Sequence, residues 1–115
     1  MRIVDLKEFL SLPNGTLFMK YAPCSFDDLS VKVESLENDF ICVSITNDVE
    51  SDDTEDFSSI LFSAEETGDS FDLDTDATYR DGMYEKDQMF AVYELKDVNG
   101  LLAVVEKYKR LAYSN

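Results

Sequence analysis

Apolar and polar positions along this chain repeat with two different periods, and each change of period marks an element. Leu6, Phe9 and Leu10 fall at helical spacing behind Asp5, with Glu8 in capping-box register, which predicts a short helix ending at the turn Pro13-Asn14-Gly15. Thr16 to Tyr21 reads as a strand rich in aromatics, followed by a loop over Ala22 to Ser25. Leu29, Val31 and Val33 then alternate with Ser30, Lys32 and Glu34, the mark of a half-buried strand with the apolar set inward. After a turn around Glu37-Asn38-Asp39, Phe40 to Thr46 is apolar on both faces at its start, as a central strand is. Phe57, Ile60, Leu61 and Ala64 return to helical spacing and predict a helix from about Asp53 to Thr67, closed by Gly68.

Ser70 to Tyr79 alternates again, with Phe71, Leu73, Thr75, Ala77 and Tyr79 on one face and Asp72, Asp74, Asp76 and Thr78 on the other. A turn over Arg80 to Met83 precedes a last strand, Met89 to Leu95. Asp97 is then expected to cap a closing helix whose stripe is Val98, Leu101, Leu102, Val105 and Ala112. The predicted order is α-β-β-β-α-β-β-α. Short links between successive strands imply an α+β fold: a mostly antiparallel sheet of about five strands with helices packed on one face. A chain of 115 residues without a visible linker or repeat is expected to form a single domain over residues 1–115.

Charge changes this reading more than composition does. The formal net charge is −15, and it is segregated: residues 1–26 and 88–115 each sum to +1, whereas residues 27–87 sum to −17. From Val33 to Tyr79 there are fifteen carboxylates and no Lys, Arg or His, with Lys32 and Arg80 at the borders. Such a field repels nucleic acid and anionic lipid and attracts basic surfaces or divalent cations. Glu65 and Glu66 oppose the dipole at the end of their predicted helix, so helix stability did not select them. No signal-peptide pattern or membrane-length apolar run is present, and a cytoplasmic location is expected.

The residue inventory argues against an enzyme. Histidine is absent, which removes the commonest general base and metal ligand. Cys24 and Cys42 do not form a zinc or redox motif, and Cys42 is expected in the core. No glycine-rich phosphate loop occurs, and no cofactor is implied. Asp72, Asp74 and Asp76 have the spacing that opens an EF-hand loop. However, Ala77 stands where glycine is required and Met83 where the bidentate Glu is required, so no specific calcium site is expected.

As a strand, the same aspartates would stand in a row spaced by about 6.6–6.8 Å, comparable to successive phosphates of a nucleic-acid strand. A compact domain of this length has a radius of gyration near 13 Å, and about 18 phosphates occupy ~30 Å of duplex, close to the charge of the middle segment. The candidate partner-binding residues are therefore Asp48, Asp52, Asp53, Glu55, Asp56, Asp72, Asp74 and Asp76; Tyr79 or Tyr84, if exposed, would supply an aromatic anchor, whereas core packing is the more common role for such a residue.

Two stretches, FLSLPNGTLFMKYAP and DGMYEKDQMFAVYELKDVNGLL, resemble small, mostly uncharacterised acidic proteins encoded by bacteriophages. The resemblance covers about a third of the chain and involves scaffolding rather than a site. It implies expression in a bacterial cytoplasm and an anti-defence role, anti-CRISPR or anti-restriction in character. The expected function is a nucleic-acid-mimic inhibitor whose partner is a basic nucleic-acid-binding protein or effector complex, with no direct binding of nucleic acid or membrane. The alternatives are an accessory or structural phage protein kept soluble by its acidity, or a weak divalent-cation-binding module.

Overall fold

The computed structural model describes residues 1–46, 48–82 and 85–114. In chain order the elements are β1 (Arg2–Val4), α1 (Leu6–Ser11), β2 (Leu17–Ala22), β3 (Ser25–Phe26), β4 (Ser30–Ser35), β5 (Phe40–Ser44), α2 (Thr54–Thr67), β6 (Thr78–Asp81), β7 (Met89–Val92) and α3 (Leu95–Tyr113). The strands form one antiparallel sheet in the order β1-β7-β2-β4-β5-β6, with β3 folded back on β2. The fold is thus α+β, with seven strands among the described residues where about five were expected.

The two additional strands are short. β1 consists of three residues directly before the Asp5 cap, and only its partner β7, nearly ninety residues away, makes it a strand. β3 is two residues long, joined to β2 through a tight turn in which Cys24 takes φ 60°.

α1 explains the core. The Asp5 carboxylate accepts the Glu8 N–H at 2.9 Å, which fixes the helix start. Phe9 then points into the sheet, where its ring lies 4.1 Å from Phe90, 4.7 Å from Phe18 and 5.0 Å from Phe40 between centroids. Val4, Cys42 and Val92 complete this cluster, with Leu6, Leu10 and Leu12 packed around it. The opposite sheet face carries Met19, Val31, Ile41, Val43 and Ala91, as the pairings Met19↔Ala91 and Val31↔Val43 require.

β4 corrects the expected facing. Ser30 and Lys32, not Leu29, Val31 and Val33, point to the α1 side and are buried. A bulge between Lys32 and Glu34 leaves Val33 without a partner on β5 and exposed. Lys32 is turned inward because α1 ends above it. Its ammonium donates to the carbonyls of Phe9 (3.3 Å), Leu10 (3.5 Å) and Leu12 and to Ser35 Oγ (2.7 Å), and it lies 5.5 Å from the Phe9 ring centroid. Burial lowers its pKa, while the carbonyls of the helix end supply the negative charge that holds it there. The other border cation, Arg80, is also committed: its guanidinium pairs with the buried carboxylate of Asp39.

The helices are not all packed on one face, as was expected. α2 and α3 contain no buried residue. The radius of gyration is 16.5 Å, with extents of 45 × 37 × 25 Å, against ~13 Å for a compact chain of this length. α3 also starts earlier than expected: Glu94 occupies the N-cap position, and Asp97, at the third helical position, accepts the Glu94 N–H at 2.9 Å. The Met1 amine bridges Glu94 and Asp97, tying β1 to the start of α3. No helix among the described residues is long and apolar enough to cross a membrane.

Candidate functional site: an acidic lobe between β5 and β6

Between β5 and β6 the chain builds a lobe from α2 and two extended segments. Asp53 caps α2, its carboxylate accepting the Asp56 N–H at 2.7 Å, while Asp56 accepts the Asp52 N–H at 2.9 Å. Gly68 closes the helix in the left-handed conformation at φ 77°, as its position in the sequence predicts. The acids of the first turn thus do structural work, suiting both the exposed amides and the helix dipole.

The row of aspartates is broken. Ser70 to Tyr79 is not a continuous strand. Leu73 forms a single bridge with Val49, and the chain bends at Thr75-Asp76 before β6 begins at Thr78. The reason is local. Asp74 turns its own carboxylate onto the backbone, accepting from Asp76 N–H (2.8 Å) and Ala77 N–H (3.1 Å), which makes an Asx turn where the alternating pattern predicts extended chain. Asp76 therefore leaves the line of Asp72 and Asp74. The apolar face of that segment is open too, with Phe71 and Leu73 exposed.

In place of the row, the bridge makes a block. The Glu50 N–H donates to the Asp72 carbonyl (2.9 Å) and the Asp74 N–H to the Asp48 carbonyl (2.8 Å). Around the Val49↔Leu73 pair this antiparallel register sets Asp48 opposite Asp74 and Glu50 opposite Asp72. Two acidic residues of one segment thus lie in register with two of the other, with the Asp74 carboxylate turned back onto its own backbone.

Two clefts flank the block. One, of about 550 Å³, is lined by Glu50, Asp69, Asp72, Ile60, Ala64 and Phe71 among others. The second, of about 440 Å³, is lined by residues including Asp48, Asp53, Asp74, Phe57 and Tyr79. Among the described residues no cation lines either cleft.

The eight expected residues accordingly divide. Asp53, Asp56 and Asp74 hold backbone amides in place. Asp48, Asp52, Glu55, Asp72 and Asp76 accept no side-chain hydrogen bond and form no ion pair within the described residues; Asp48 is half-buried near Tyr79 and the other four are exposed. Glu50 belongs with them and was missed, although its alternation with Asp48 around Val49 repeats the period seen at Asp72 and Asp74. Among the described residues no three acidic or cysteine side chains gather closely enough to hold a metal ion.

Tyr79 sits where the lobe joins the sheet. Its ring is about half exposed (47%), but its hydroxyl contacts Cys42 and Ser30, and burial pushes its pKa up to about 12. It is anchored rather than free to act as an anchor, and Tyr84 lies outside the described residues. Because the folded-state pKa exceeds the ordinary 10.0, the neutral phenol contributes stability that is complete below pH 10 and is lost as pH rises from 10 to about 12. Tyr79→Phe is expected to flatten this alkaline fall relative to wild type, read from urea midpoints against pH. Identical slopes for the two proteins would refute the assignment.

Comparison with protein-family models, curated proteins and solved structures finds no match.

Proposed function

We infer that the acidic lobe occupies the basic nucleic-acid groove of a DNA- or RNA-binding protein, and that the chain acts as a stoichiometric inhibitor by mimicking nucleic acid. The observation that supports this most strongly is the register of acidic residues around the Val49↔Leu73 bridge, Asp48 opposite Asp74 and Glu50 opposite Asp72. Solubility needs charge but has no use for like charges set against one another in a hydrogen-bonded ladder. A cationic groove would meet these carboxylates as it meets phosphates, with charge setting the rate of association and its salt response.

Apolar contacts are at hand to anchor what charge steers. Phe62 on α2 and Phe71 beside the block are exposed among the carboxylates, and buried aromatics of this kind dominate interface energetics. The resemblance to acidic phage proteins makes a restriction enzyme or a CRISPR effector complex the first target to test.

The experiment is a pull-down from bacterial lysate at low and high salt, with Glu50→Lys/Asp72→Lys as the variant. Neither side chain supports the backbone, so the lobe is expected to fold unchanged. Wild type should retain a nucleic-acid-binding protein at low salt and release it at high salt, with retention falling about tenfold or more in the variant. Retention that the double reversal leaves intact would refute the mimic reading, as would a failure to retain any such protein at low salt.

A further inference from the structure

The acidic lobe has no core of its own. No described residue from Ile45 to Ala77 is buried, and the lobe is tied internally by the Val49↔Leu73 bridge and by aspartates bonded to nearby amides. Its place relative to the sheet is therefore set by the two strands it joins. β5 lies between β4 and β6, whereas β6 is an edge strand of four residues paired with β5 alone.

What holds β6 differs on its two faces. Its register with Ile41 sends Arg80 to the face away from α1, where it pairs with Asp39, the residue before β5. Tyr79 and Asp81 point to the α1 face, in register with Cys42 and Phe40. There Asp81 pairs with the ammonium of Lys20. Lys20 stands on β2, and β4 and β5 separate it from β6. Three strand spacings amount to about 14 Å in a flat sheet, beyond the combined reach of the two side chains, so the sheet curls toward α1 and the pair closes the curl. The Asp81 side chain is only 12% exposed, which sets this contact apart from ion pairs screened at the surface. Arg80 ties β6 to its neighbour; Lys20 ties it across the sheet.

We propose that Lys20 is a positioning residue for the acidic lobe: through Asp81 it fixes β6 and holds the lobe in the one orientation from which it meets a basic groove. The consequence for binding rests on the mimic reading, but the holding itself is a property of the free chain. Electrostatic complementarity depends on charges at fixed relative positions. A lobe on a loose edge strand would present its carboxylates in many orientations, and its apparent affinity would fall with the fraction in the right one.

The test measures that orientation without a partner. Nitroxide labels on the native Cys24, in the β2–β3 turn, and on Phe62→Cys, on α2, report the distance between sheet and lobe. Both positions are exposed, whereas Cys42 is buried, its thiol pKa raised by that burial, and stays unlabelled. One narrow distance distribution is expected with Lys20, a width about doubled by Lys20→Met, and a return to the narrow form with Lys20→Arg, which keeps the charge. The distance from Cys24 to Lys7→Cys on α1 should be the same in all three, as it is when sheet and core are intact. In the otherwise wild-type chain, Lys20→Met should lower low-salt retention of the partner about threefold, as when about a third of molecules keep the competent orientation.

A broad distribution in wild type would overturn the proposal, as would one that Lys20→Met leaves narrow or a broadening that Lys20→Arg fails to reverse. Retention unchanged by Lys20→Met despite the broadening would also overturn it, since the fixed orientation would then not serve binding. If wild type retains no nucleic-acid-binding protein, the mimic reading fails alone, and the distance measurement still decides whether Lys20 holds the lobe.

Discussion

Replacing Phe9 by alanine is expected to cost about 4 kcal/mol, the largest loss available from a single side chain in this fold. Phe9 is fully buried, stacks on Phe90 and meets Phe18 and Phe40 edge-on, so its removal opens a cavity beneath a helix of only six residues. The surroundings have little means of collapsing into that space, because the other three rings are held on separate strands in fixed register. A loss of this size is a large share of the 5–15 kcal/mol that stabilises a typical domain, so partial unfolding at 37 °C is anticipated. Chemical denaturation of Phe9→Ala against wild type checks it. A loss below about 1.5 kcal/mol would mean that α1 is not the lid of the core.

Lys32→Met comes second, at about 3 kcal/mol and a fall of ~10 °C or more in melting temperature. Methionine keeps the length and the apolar stem but leaves the carbonyls of Phe9, Leu10 and Leu12 without the shared donor they converge on. Removing the buried charge recovers some desolvation, which is why the expected loss falls short of the sum of the individual hydrogen bonds. Thermal melts give the number. A variant as stable as wild type would mean that water caps α1 equally well. The substitution leaves the carboxylates of the lobe in place, so below its melting point the variant should retain a basic partner as wild type does. Stability and proposed function can therefore be separated by one mutation in the scaffold and one pair in the lobe.

The lysine also shows where reading the chain in one dimension stops. Alternation placed Val31 and Val33 inward and Lys32 outward, since hydropathy ranks a lysine as solvent-facing. The preference reversed because three carbonyls from a segment twenty residues earlier come to rest above position 32 and can be satisfied only by a long donor. Asp74 is the matching case at the candidate site. A period of two predicts a strand through it, yet a short carboxylate can also bond its own backbone two and three residues on, and here that local bond prevails. Conversely, the start of α2 near Asp53 and its stop at Gly68 were legible in the sequence, because each depends on atoms within four positions of itself.

What the sequence by itself determined is therefore whatever local chemistry dictates. This comprises the helix starts at Asp5 and Asp53, the antiparallel run of β2, β4 and β5, an α+β fold, and a cation-free acidic stretch between two basic residues. Only the tertiary structure decided which carboxylates meet. Val33 to Tyr79 reads as a line of charge. Folded, its Asp48–Glu50 segment lies antiparallel to Asp72–Asp74, and both bordering cations are drawn away, Lys32 beneath α1 and Arg80 onto Asp39. The physical reason is that strand pairing and burial are long-range. A single bridge between residues twenty-four positions apart turned an expected row into a block, and no period read along the chain encodes that register.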